Sequence, residues 1–132
     1  MQREEMLAKV EAAYEARRTG DLDALSGVVS PDCRFSFGGE QSLLAAAPES
    51  CEADVLQVAR ELFEKIEIRS LERVQAVAEG NHVAILRNTT LAAPGGEPFE
   101  TQMFDLWEFD QSGRICKGTQ FLDTAKLVTE MR

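Results

Sequence analysis

A chain of 132 residues, 44% hydrophobic and 28% charged, has the length and composition of one globular domain and excludes wholesale disorder. Its 23 acids against 14 bases leave a net charge of −9, which repels phosphate backbones and anionic lipid, so no nucleic acid and no membrane partner is expected. Three widely spaced cysteines (Cys33, Cys51, Cys116), a charged opening MQREEMLAKV and the lack of any apolar run near ~20 residues predict a reduced, cytoplasmic protein. With one histidine, His82, just after a turn, and no metal-ligand motif, neither a metal nor an organic cofactor is expected.

In chain order, residues 4–19 are predicted to be helical. Met6, Leu7, Val10, Ala13, Tyr14 and Arg17 recur at steps of three and four, with charges on the other face. Gly20 is a stop signal, and Asp21 suits the N-cap of a second helix over 22–29. Ser30-Pro31-Asp32 ends that helix, because the residue before a proline avoids the helical region. CRFSF, residues 33–37, alternates as a strand. Residues 38–52 follow neither period; glycines and Pro48 flank Leu43 and Leu44, and a flap over a pocket mouth is expected there. Helical spacing returns over 54–66.

Beyond residue 66 the period changes from 3.6 to 2. Four strands are predicted, 70–79, 82–92, 98–110 and 114–123, joined by the turns Gly80-Asn81, Pro94-Gly95-Gly96 and Gln111-Ser112-Gly113. A last helix covers 124–131. Helices first and hairpins afterwards predict an α+β domain over 1–132, with helices on one face of a curved antiparallel sheet.

Asp105 stands out on residue pattern alone. Alternation places it with Phe99, Thr101, Met103, Trp107 and Phe109 on the apolar side of its strand. An unpaired carboxylate there costs several kcal/mol, so the group either finds hydrogen bonds in a satisfied core or raises its pKa at the base of a pocket. The turn Asp110–Arg114 fits a type I turn with Gly113 in the bulge position. That register sets Phe109 opposite Ile115 and Asp105 opposite Thr119, and turns Lys117, Thr119, Phe121 and Asp123 to the face of Asp105. Asp123 is either a second acid in the pocket or the N-cap of the last helix. The Pro-Gly-Gly turn allows two registers one residue apart. In one, Arg87 is the diagonal neighbour of Asp105; in the other, Asn88 takes that place. Tyr14, Phe37 and Trp107 are either ligand contacts or core aromatics.

The order ααβαββββ resembles the nuclear transport factor 2-like superfamily, and within it the SnoaL-like, ketosteroid isomerase-like group. AAYEARRTGDLDALSGVVSPDCRFSFGG is similar to that group's helix, Gly-Asp, second helix and strand entry. MFDLWEFDQSGRI is similar to its Asp-x-Trp/Phe-x-Phe strand with a glycine turn. The resemblance implies a cone-shaped α+β barrel (cystatin-like), three helices packed on the curved sheet, and a homodimer formed through the outer sheet face, here Phe104, Leu106, Cys116 and Leu122. In ketosteroid isomerases an aspartate at the position of Asp105 hydrogen-bonds the substrate oxyanion. By spacing from Gly20, the general base of those enzymes falls on Phe37 and their oxyanion tyrosine on Ala13, one residue before Tyr14. An aspartate similar to Asp123 is an acid/base in SnoaL-like cyclases, and Arg87 beside Asp105 resembles the Arg–Asp pairs of the epoxide hydrolases.

Two functions follow as expectations. One is a cofactor-independent isomerase, cyclase or hydrolase acting on a small apolar molecule, with Asp105, Asp123 and Tyr14 catalytic and Phe37, Arg87, Met103, Trp107, Thr119 and Phe121 around the ligand. The other is a non-catalytic ligand-binding or dimerisation domain.

Overall fold

Helix α1 (Arg3–Thr19) buries Met6, Leu7, Val10, Ala13, Tyr14 and Ala16 along one stripe, the face that the three- and four-residue spacing predicts. The computed structural model of the chain describes residues 2–37 and 53–130. Gly20 ends α1 with φ 75°, a left-handed conformation that costs glycine nothing sterically. Asp21 then caps α2 (Leu22–Val28), its side chain accepting the Ala24 N–H at 3.0 Å. Strand β1 (Val29–Phe37) begins directly after α2, four residues earlier than the alternation suggests, and carries Pro31 through an irregular stretch of pairing. The two-residue β2 (Ala53–Asp54), helix α3 (Val55–Lys65), strands β3 (Glu67–Glu79), β4 (His82–Ala92), β5 (Phe99–Phe109) and β6 (Ile115–Leu122), and helix α4 (Thr124–Glu130) complete the described chain. The flap expected over 38–52 lies outside the described residues.

The strands form one curved sheet in the order β2-β1-β6-β5-β4-β3. Every pairing is antiparallel except β1 with β6. The helices lie over the inner face, where Tyr14, Phe35, Val83, Ile85, Met103, Trp107, Phe109 and Ile115 form the core. Each fully buried Leu, Val, Met or Phe side chain there contributes roughly 1.5–3 kcal/mol. The α+β architecture is the expected one.

The two hairpin registers decide what faces that core. Between β4 and β5, Arg87 is opposite Met103 and Ile85 opposite Asp105, so Arg87 points inward and Asn88 outward. Between β5 and β6 the turn forms as predicted. Asp110 Oδ1 accepts the Ser112 and Arg114 N–H groups, Gly113 sits at φ 85°, and Phe109 pairs with Ile115. The expected register fails one step later. Cys116 is inserted as a bulge, so that Glu108 pairs with Lys117 and Asp105 with Gln120 rather than Thr119. A one-residue slip exchanges the faces. Gly118 and Gln120 turn inward and Leu122 packs partly on the core, whereas Phe121, expected beside Asp105, is 48% exposed on the outer face. Thr119 also leaves the interior and receives a 3.4 Å hydrogen bond from Ser36.

The outer face is more apolar than expected. Phe104 (46% exposed) and Leu106 lie on it with Phe121, Val74 and Val77, while Leu122 does not. Among the described residues no helix is long and apolar enough to cross a membrane.

Candidate functional site

Alternation along β5 buries Phe99, Met103, Asp105, Trp107 and Phe109 and exposes Phe104 and Leu106. Asp105 is 0% exposed, between Ile85 on β4 and Gln120 on β6. Neither carboxyl oxygen has a hydrogen-bond partner among the described residues. Desolvation therefore dominates and pushes the carboxyl up to about 8, offset in part by the nearby Gln120 amide and Trp107 indole. At neutral pH Asp105 is a protonated acid, with one O–H to donate. The Trp107 Nε1–H beside it is also buried and unpartnered.

Arg87 does not ionise it. The arginine is buried on the same face, but Nη2 and Nη1 donate to the Glu11 carboxylate of α1 at 2.5 and 3.3 Å. Its guanidinium carbon lies 4.0 Å from the centroid of the Tyr14 ring, a cation–π contact. The positive charge is thus committed to the helix, and Asp105 keeps its proton.

A second polar chain runs from α1 to β6. Arg17 Nη1 donates to Gln120 Oε1 at 3.2 Å, and Gln120 Nε2 donates to the Tyr14 hydroxyl at 3.5 Å. Burial pushes the Arg17 guanidinium down to about 10, which leaves it a cation at neutral pH. Tyr14 also meets Trp107 edge-on, ring centroids 5.8 Å apart. These groups border a cavity of about 30 Å³, walled by Tyr14, Arg17, Leu25, Phe35, Val55 and Trp107. It is large enough for about one water. Asp105 is not on its wall.

The structure therefore brings together Asp105, Tyr14, Trp107 and Arg87, with Met103 buried opposite Arg87. Phe37 is buried at the end of β1, edge-on to Phe35 at 5.1 Å. Asp123 is exposed, and its carboxylate caps α4 by accepting the Lys126 N–H at 3.1 Å; it shares no face with Asp105. Thr119 and Phe121 are on the outer side, for the reason given by the bulge. His82 opens β4 at the surface, 3.6 Å from Glu108. Among the described residues no cluster of His, Cys, Asp or Glu could hold a metal ion.

Three members of the site escaped the sequence reading: Glu11, Arg17 and Gln120. Arg17 carried a visible signal, because a charged residue stood on the apolar stripe of its helix. Glu11 did not, since one acid among many on a charged face looks like solvation. Gln120 depended on the bulge.

The comparisons with known proteins agree with this architecture. A nuclear transport factor 2-like protein of unknown function from Burkholderia pseudomallei superposes with a TM-score of 0.81 at 21% identity, covering 99% of this chain and 98% of that one. A nuclear transport factor 2-like protein from Burkholderia xenovorans gives 0.76 at 19% identity over 100% and 99% of the two chains. An LEH-like epoxide hydrolase from M. tuberculosis gives 0.73 at 17%, covering 96% and 89%. At these identities the likeness is one of fold. No curated protein sequence matches the chain. The model of the SnoaL-like domain matches residues 10–118, from the middle of α1 to the glycine that makes room for Trp107, and the chain belongs to that family.

Proposed function

We propose that the protein binds a small, largely apolar molecule bearing a carbonyl or hydroxyl group, and acts on it by acid–base chemistry through Asp105. The observation that carries this reading is the pair of buried, unpartnered carboxyl oxygens of Asp105. A protonated acid in a dry site donates a hydrogen bond that strengthens as negative charge develops on a carbonyl oxygen. Its pKa of about 8 also suits proton transfer near neutrality. The Tyr14 hydroxyl, accepting from Gln120, keeps its own proton as a second donor. Asp123 takes no part. Tyr14 and Trp107 line the cavity and Asp105 does not, so ligand entry requires one of these rings to move.

The test uses the only tryptophan, whose indole N–H gives a single NMR signal. Acetophenone and phenol serve as probes. Saturable shifts of that signal, weakened about tenfold in Asp105→Asn, are the expected outcome. Equal affinity in the variant, or no saturable shift with either probe, overturns the reading.

A second reading, a non-catalytic pairing domain, is favoured by the small cavity and by the apolar patch of Val74, Val77, Phe104, Leu106 and Phe121. In that reading the occupant of the patch is a second copy of the chain. Pairing and ligand binding are themselves compatible, since the patch and the cavity lie on opposite faces of the sheet.

A further inference from the structure

Arg17 borders two spaces at once. On the inner side it lines the cavity with Tyr14 and Trp107. On the outer side it lines a surface groove of about 300 Å³ with Arg18, Ile66, Ile68 and Arg69. The other two arginines of the groove are already neutralised, Arg18 by Glu15 at 2.5 Å and Arg69 by Glu67 at 3.0 Å. Arg17 has no carboxylate partner among the described residues, and its one hydrogen bond goes to a neutral amide oxygen. A partly buried cation without a counter-charge is costly, and on a chain of net charge −9 the acids to satisfy it are plentiful.

The wall of the cavity is almost wholly apolar, and among the described residues Arg17 is the charged group on it. Its guanidinium spends one N–H on the Gln120 amide oxygen. A guanidinium at the edge of an apolar wall selects a ligand that joins an acceptor group to an apolar body.

We infer that the ligand of this site is an organic acid, its carboxylate paired with Arg17 where cavity and groove meet and its apolar body lying against Ile66 and Ile68. This deepens the pocket reading above and rests on it. A guanidinium reads a carboxylate through two parallel N–H donors, which a neutral isostere cannot match.

The experiment compares benzoate with its neutral isostere benzamide and with inorganic phosphate at pH 7, followed by the Trp107 indole signal. Benzoate is expected to give a saturable shift, with benzamide and phosphate at least about tenfold weaker. Arg17→Gln levels benzoate and benzamide, Arg17→Lys keeps part of the preference, and Arg3→Gln, which removes an exposed positive charge elsewhere, leaves it unchanged. If Arg17→Gln does not fold, the Arg17→Lys and isostere comparisons decide. Equal binding of benzamide, a preference that survives Arg17→Gln, or phosphate binding as well as benzoate overturns the inference. Acetophenone binding without benzoate binding overturns this inference alone, and failure of both acetophenone and phenol overturns the pocket reading and this inference with it.

Discussion

Arg87 and Asp105 enter the interior from diagonal positions on β4 and β5, yet the carboxylate that Arg87 holds is Glu11 on α1, at 2.5 Å. Glu11 is half exposed and Arg87 is not, so the pair ties helix to sheet with one end in water. Replacing Glu11 by Gln leaves the guanidinium buried and uncompensated. The expected cost is about 1–3 kcal/mol, less than for a fully buried pair because of that exposure. Urea denaturation measures it. The same variant frees Arg87, diagonal to Asp105 in the sheet, so the Asp105 titration should move downward, as carboxyl NMR would show. A stable Glu11→Gln protein with an unmoved Asp105 contradicts this account.

The protonation of Asp105 has a sign that can be checked. The folded chain keeps the proton up to about 8, whereas the free side chain loses it near 3.8. Between these two values the folded state binds more protons than the unfolded one, so this group makes stability fall as pH rises. Its destabilising effect is absent below the lower value and complete above the upper. Asp105→Asn should therefore gain on the wild type steadily across that window and be the more stable protein at high pH, by several kcal/mol. Parallel stability curves for the two proteins would dispose of the neutral acid.

Gly118 is held to its size by Trp107. A Cβ there would overlap the indole ring, itself packed against Tyr14 and Phe35 at 5.8 Å between centroids. Gly118→Ala should cost about 1–3 kcal/mol through overpacking. It should also shift the Trp107 emission, since the ring must leave the cavity wall. Unchanged emission together with unchanged stability would show that the ring has room.

Self-association is expected through Phe104, Leu106 and Phe121. Sedimentation at micromolar concentration should find a species of twice 14.6 kDa. Phe104→Glu combined with Leu106→Glu should return it to the monomer without unfolding it, because both side chains are exposed in the single chain. A monomer at every concentration tested rules the pairing out.

Which parts of this were legible in the sequence follows from how local each signal is. The helix of Met6, Leu7 and Val10, the Gly20 stop, the Asp21 cap and the Asp110–Gly113 turn are set by residues within a few positions of one another, and all formed as read. Asp105 was legible because alternation along one strand needs no partner. Its neighbours were not. Whether Arg87 or Asn88 faced it depended on a hairpin register that the Pro-Gly-Gly turn leaves open, and Arg87's partner Glu11 lies 76 residues away in sequence. On the far side, the Cys116 bulge moved Gln120 into the place assigned to Thr119.

That bulge decides which side chains of β6 the site receives. Deleting Cys116 would close it into a regular ladder and leave Glu108 opposite Lys117 and Asp105 opposite Gln120, whereas a ladder that paired Cys116 with Glu108 would bring Thr119 and Phe121 inward in place of Gln120. In that second ladder Arg17 and Tyr14 would lose the amide that joins them, and Lys117 would meet Trp107 in the space that Gly118 leaves open. One unpaired residue thus separates two interiors built from the same sequence. Within a fold that carries unrelated activities, the gain or loss of such a bulge is a route from one interior to another that residue-by-residue comparison of aligned columns does not see.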